Sequence, residues 1–133
     1  MTQIYEPTLW SLVTECGEPG WDGNDALPLD HRAVSKAVAF IRALPEGVPL
    51  PEFAPEPGGS LSLDWISSRN RFLSLSVSTG DRLPYAWLDG TDKGHAVACF
   101  DGVSVPPRIL EGIEAILNGG SNLVRNRSPS GVM

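Results

Sequence analysis

The sequence predicts an α+β fold with two layers, in which roughly four antiparallel strands form a sheet and helices pack on one of its faces. Three observations support this prediction. Segments near both ends of the chain repeat apolar residues every three or four positions, as amphipathic helices do. Residues 61–100 alternate apolar and polar side chains, as half-buried strands do. The polar side of these strands is rich in serine, which predicts that water covers that face of the sheet.

Two helices are predicted in the first third of the chain. The first has Thr8 as its N-cap, carries one apolar stripe and ends at Gly17. Asp30 can cap the second helix, whose apolar residues recur at helical spacing until Pro45 ends it. Residues 45–59 contain five prolines, which predicts an extended connector that crosses the surface of the domain.

Four strands are predicted after this connector. The first two runs end at Trp65 and Val77, and the second has the clearest alternation in the chain. A third run contains Pro84, which predicts an edge position or a place near the start of its strand. The fourth ends at Phe100. A third helix then begins at Pro106 and ends near residue 119.

The length of 133 residues suits one domain with one hydrophobic core. We predict that residues 1–120 form this single domain and that residues 121–133, which are polar and show no periodicity, form a mobile tail. No apolar run is long enough to cross a membrane, and the N-terminus lacks the pattern of a secretory signal. These features predict a cytoplasmic protein without a membrane partner. Its two cysteines, Cys16 and Cys99, are expected to be reduced thiols.

The net charge of −6 lies entirely in the first 60 residues, which contain nine acidic and three basic residues. Five acidic residues fall between positions 15 and 30, where the sequence has neither lysine nor arginine. Such an acidic balance argues against a partner made of nucleic acid, because binding to phosphates requires clustered basic residues. It favours docking to a protein with a basic surface, with Trp21 or Trp10 as an apolar anchor. The predicted binding residues are Glu15, Glu18, Trp21, Asp22, Asp25 and Asp30.

No catalytic or cofactor-binding motif is present, so the sequence predicts neither an enzyme nor a bound cofactor. The loop around Asp22 places several oxygen ligands together, but its spacing differs from that of a calcium loop, and an Asx turn anchored by Trp21 is the favoured interpretation. His31 and His95 have no spacing typical of zinc sites. Cys99 follows His95 by four residues, which on a strand separates the two side chains too far for direct proton transfer.

Three segments of the chain together form a sequence pattern. Residues 20–26 read G-W-D-G-x-x-A, a helix then ends in Leu44-Pro45, and a strand after a proline-rich segment ends in Trp65. In this pattern, which spans residues 18–100, the chain resembles a set of small uncharacterised bacterial proteins. The resemblance implies a bacterial source and a common fold, and it assigns no catalytic residue.

The leading functional prediction is a non-enzymatic bacterial protein that binds another protein, as an antitoxin, an immunity protein or a phage or plasmid inhibitor does. One alternative is a small metal-dependent or hydrolytic enzyme that uses the acidic loop with His31. The other is a structural protein that forms a homodimer through its open sheet face or an edge strand.

Overall fold

The structure, a computed structural model, describes residues 6–118, which contain three helices and five strands. The predicted tail at residues 121–133 lies outside the described residues. Along the chain the elements are α1 (Glu6–Glu15), α2 (His31–Ala43), β1 (Glu52–Pro55), β2 (Leu61–Ser68), β3 (Arg71–Val77), β4 (Arg82–Asp89), β5 (Asp92–Cys99) and α3 (Pro107–Asn118).

The five strands form one antiparallel sheet in sequence order, so that β1 and β5 are its two edges. The predicted α+β class and antiparallel sheet are therefore confirmed, with one strand more than the four predicted. The additional strand, β1, lies inside the proline-rich segment and pairs Phe53 with Leu63 of β2. Prolines are tolerated at a sheet edge because an edge strand has one side without ladder hydrogen bonds. Because these prolines interrupt the alternation of apolar and polar residues, the sequence pattern does not identify β1 as a strand.

Helix α2 shows how local sequence sets its ends. The Asp30 side chain accepts a hydrogen bond from the backbone N–H of Arg32 at 2.8 Å, as an N-cap does. The last helical residue, Ala43, is followed by Leu44 as C-cap and then by Pro45, which cannot continue a helix. The apolar stripe of α2 is buried, as the spacing predicts: Ala33, Val34, Ala37, Val38, Phe40 and Ile41.

The core lies between the helices and the apolar side chains of the central strands. Helices α2 and α3 make their main sheet contacts with β2 and β3. The approach of α3 is close: a Cβ atom added to Gly112 would lie 2.7 Å from Cδ1 of Leu73. The buried apolar strand residues are Leu61, Leu63, Trp65, Leu73, Leu75, Val77, Leu83 and Tyr85, and the buried residues of α3 are Ile109, Ile113 and Ile116.

Alternate residues of β2 and β3 form a hydrogen-bonded polar network. The Asp64 carboxylate accepts hydrogen bonds from the hydroxyls of Ser62 and Ser74, both at 2.6 Å. The Ser76 hydroxyl donates to Glu56 at 2.7 Å. These bonds satisfy the partly buried carboxylates without a basic residue. Among the described residues, no helix combines the length and the apolar character that crossing a membrane requires.

Candidate functional site

The acidic segment folds into a closed loop between α1 and α2. The backbone N–H of Leu29 donates to the carbonyl of Cys16 at 2.8 Å, which joins the two ends of the loop. Inside it, the N–H of Gly20 donates to the carbonyl of Ala26 at 2.7 Å. Gly20 has a φ of +75°, a backbone conformation that glycine adopts without strain. The loop is thus a defined scaffold for its acidic side chains.

Asp22 is used by the loop itself. One of its carboxylate oxygens accepts hydrogen bonds from the backbone N–H groups of Asn24, at 2.9 Å, and Ala26, at 3.3 Å. This is the Asx turn favoured by the sequence. Within residues 6–118, no group of three or more histidine, cysteine, aspartate or glutamate side chains is arranged to hold a metal ion.

The two tryptophans near the loop have different roles. Trp21 is half-buried against the core, and its indole N–H donates to the carbonyl of Leu27 at 2.8 Å. It therefore fixes the loop from inside. Trp10 is 39% exposed and contacts His31 edge-on, with 6.2 Å between the ring centroids. Of the two candidate anchors, Trp10 is the one with an accessible ring.

Asp30 is held by interactions within α2. Its carboxylate accepts from the backbone N–H of Arg32 and forms an ion pair with that residue's guanidinium at 3.3 Å. The side-chain and backbone hydrogen bonds from Arg32 lower the pKa of the Asp30 carboxyl below its ordinary value. Asp30 is consequently a capping residue with a neighbouring positive charge, which reduces its contribution to an acidic surface.

Replacing Asp30 by alanine is expected to lower the free energy of unfolding by about 1 kcal/mol at pH 7, through loss of the cap. Because folding lowers the pKa of Asp30, its contribution is complete above the pKa of the unfolded chain and is lost as the pH falls. Urea unfolding of both proteins should therefore show a smaller difference at pH 3 than at pH 7. Asp25→Ala, in the exposed loop, is the control; a difference independent of pH would contradict this role for Asp30.

Three of the predicted binding residues have free carboxylates. Glu15, Glu18 and Asp25 are exposed. No hydrogen bond or ion pair to another described residue holds their side chains. They lie on the closed loop or at its start, and Leu27 of the same loop is 56% exposed. Of the six predicted residues, Trp21, Asp22 and Asp30 thus stabilise the loop or the helix that follows it. The other three carry carboxylates that are exposed to solvent.

A groove of about 550 Å³, which sequence reasoning did not identify, lies where the end of the loop meets the start of α2. It is lined by Leu27 and the start of α2, including His31, and by the turn at Gly58 and Gly59. Asp30 donates its backbone N–H to the carbonyl of Gly59 at 2.9 Å. Gly59 has a φ of +94°, and a Cβ atom there would lie 3.1 Å from the carbonyl oxygen of Pro28. The glycine is therefore what allows this turn to approach the loop.

Among the described residues, no hydrogen bond links either thiol to His31 or His95. Cys16 is buried, and Cys99 is exposed on β5; neither forms a disulfide. Burial raises the pKa of the Cys16 thiol, and the nearby Glu15 carboxylate raises it further. A thiol with a raised pKa is a poor nucleophile at neutral pH because little thiolate is present.

Comparison of the chain with protein-family models, with curated proteins and with solved structures gives no match. The resemblance to small bacterial proteins therefore stays a prediction.

Proposed function

We propose that this chain is a non-enzymatic bacterial protein-binding module, of the antitoxin, immunity-protein or inhibitor kind, that acts in the cytoplasm. Its binding surface would comprise the carboxylates of Glu15, Glu18 and Asp25 together with two exposed apolar side chains, Trp10 and Leu27. We call this set the acidic surface. The observation that carries the proposal is the combination of unpaired carboxylates and accessible apolar groups on one closed loop and its flanking helices.

Electrostatics supports a basic protein as the partner. Unpaired carboxylates on an ordered loop attract a positively charged surface and orient it during approach. The first 60 residues carry all of the net charge, and the acidic loop belongs to this part of the chain. An exposed tryptophan supplies the type of apolar contact that dominates binding energy at protein interfaces.

We also infer that all helices cover one face of the sheet. Support comes from the contacts of α2 and α3 with β2 and β3 and from the alternation of buried and less buried residues in β3 and β4. In that arrangement the acidic surface lies at the helical side of the molecule. The serine-rich face would stay open to water.

Reversing charge on the acidic surface is the direct test. The double variant E18K/D25K is expected to weaken binding of the partner by about tenfold or more, because loss of steering and like-charge contacts both oppose association. The tagged chain would be used for affinity capture from bacterial lysate at low and high salt. Captured proteins would be identified by mass spectrometry, and affinity would then be measured by calorimetry with the purified partner.

The matched control is E46K/E114K, which changes the net charge equally at two exposed positions outside the acidic surface. Trp10→Ala provides an uncharged second variant of the surface. We expect a salt-sensitive partner that binds the wild type and the control and is lost by the other two variants. Equal capture by all four proteins, or no salt-sensitive partner of the wild type, would contradict the proposal.

Self-association is a second candidate, supported by strand β5. This strand is a sheet edge of eight residues, and Val97 within it is 54% exposed. A free edge can pair with the same edge of a second copy. Light scattering on the purified chain separates the two candidates, since Glu18 and Asp25 belong to the loop between α1 and α2 and not to β5, so that E18K/D25K should leave a β5 dimer intact.

A further inference from the structure

A groove of about 740 Å³ lies between α3 and the strands β4 and β5. Its volume falls within the range of small-molecule sites in proteins. It lies apart from the acidic surface and plays no part in the function proposed above. Side chains along α3, from Arg108 to Ile116, form one wall, and Tyr85 and Trp87 of β4 belong to the other. We call it the α3 groove.

Two aromatic rings give the groove its chemistry. The rings of Tyr85 and Trp87 lie 5.8 Å apart between centroids, tilted by 33°. The position of Trp87 depends on Gly94 of β5, since a Cβ atom at Gly94 would lie 2.5 Å from Cζ2 of the indole. Neither the indole N–H of Trp87 nor the hydroxyl of Tyr85 makes a hydrogen bond to another described residue. Strand β4 thus lines the groove with two aromatic side chains, of which Tyr85 is buried and Trp87 is partly exposed.

The charges around this wall favour a positively charged ligand. Asp89, Asp92 and Glu111 line the groove, with Arg108 as the only basic residue among its lining residues. Arg71 already forms an ion pair with Asp89, at 2.6 Å. The carboxylates of Asp92 and Glu111 are exposed and form no ion pair within the described part of the chain. After these pairings, the groove retains a surplus of negative charge.

We propose that the α3 groove binds a small organic cation that carries an alkylammonium group. Aromatic faces attract quaternary and alkylated ammonium ions through the ring quadrupole, and nearby carboxylates add a Coulomb attraction. The α3 groove combines aromatic rings, a surplus of negative charge and a volume suited to small molecules. Trp87 and Tyr85 would contact the ammonium group, and Asp92 and Glu111 would neutralise it.

Choline is the first probe, and 3,3-dimethylbutan-1-ol is its neutral counterpart of nearly the same shape. Binding would be followed in ¹H–¹⁵N spectra of the full chain through the indole resonance of Trp87, assigned with Trp87→Phe. We expect a saturable shift with choline and a much weaker one with the alcohol. The variants E111Q and D92N should each weaken choline binding by about two- to fivefold, the size expected for one exposed charge contact.

Glu114→Gln is the matched control, because Glu114 is an exposed acid on the same helix that does not line the α3 groove. Its affinity for choline should equal that of the wild type. The proposal would be overturned by equal shifts with choline and the alcohol, by no saturable shift, or by an effect of E114Q as large as that of E111Q. Binding of a trimethyllysine peptide without binding of choline would overturn the assignment to a small molecule.

Discussion

Replacing Trp65 by alanine is expected to lower the free energy of unfolding by about 4 kcal/mol, as truncation of a buried aromatic residue does. Trp65 is 1% exposed and lies in the middle of β2. Its ring contacts Phe40 of α2 edge-on, with centroids 6.3 Å apart. Its indole N–H donates to the carbonyl of Pro49 at 3.0 Å, in the segment that leads to β1. One side chain therefore joins the sheet, a helix and the proline-rich segment.

The effect is large because domains of this kind are stable by only about 5–15 kcal/mol. Urea unfolding followed by circular dichroism would measure the loss. Trp65→Phe retains one aromatic ring but removes part of the buried indole and the hydrogen bond to Pro49, so it should lower stability by less than Trp65→Ala does, by about 1–2 kcal/mol. A Trp65→Ala protein within about 1 kcal/mol of the wild type would show that this part of the core can close around a missing ring.

The elements that could be predicted from sequence are those whose signals are local. Helix α2 is defined by a cap at Asp30, a buried stripe and a stop at Pro45, and all three act within a few residues. Strand β3 is similar, since its leucines alternate with polar residues of the opposite face. Strand β1 is different because its prolines suggest a connector, and only pairing with β2, a contact across the chain, makes it a strand.

The candidate site shows the same division. Charge counting identifies the acidic segment, but it cannot distinguish a carboxylate that builds a turn from one that faces solvent. Asp22 and Asp30 accept backbone N–H bonds from residues two to four positions ahead, whereas Glu18 and Asp25 accept none. The α3 groove depends on where a helix lies over the sheet. Neighbours such as Trp87 and Glu111 are 24 positions apart in sequence and carry no local signal of their proximity.

The ion pair between Arg71 and Asp89 leads to the second large effect. These residues are opposite each other on β3 and β4, and their side chains are each 24% exposed. Nη1 of Arg71 lies 2.6 Å from Asp89, while Nε and Nη2 are buried and have no hydrogen-bond partner in the described part of the chain. Asp89 is thus the sole compensation that the described residues give to this guanidinium.

Asp89→Ala should consequently lower the free energy of unfolding by about 3 kcal/mol, because it leaves a largely buried charge without its partner. Replacing both residues, as R71M/D89L, should recover most of this loss, since apolar side chains need no compensation. The measurement is urea unfolding of Asp89→Ala and of the double-mutant cycle formed by R71M, D89L and R71M/D89L, with Asp92→Ala as the control for removing a carboxylate from the same groove. If R71M/D89L were as unstable as Asp89→Ala, packing at this position rather than charge pairing would account for the loss. If Asp89→Ala were as stable as the wild type, water would have to solvate Nε and Nη2 of Arg71. That result would contradict the burial of the guanidinium.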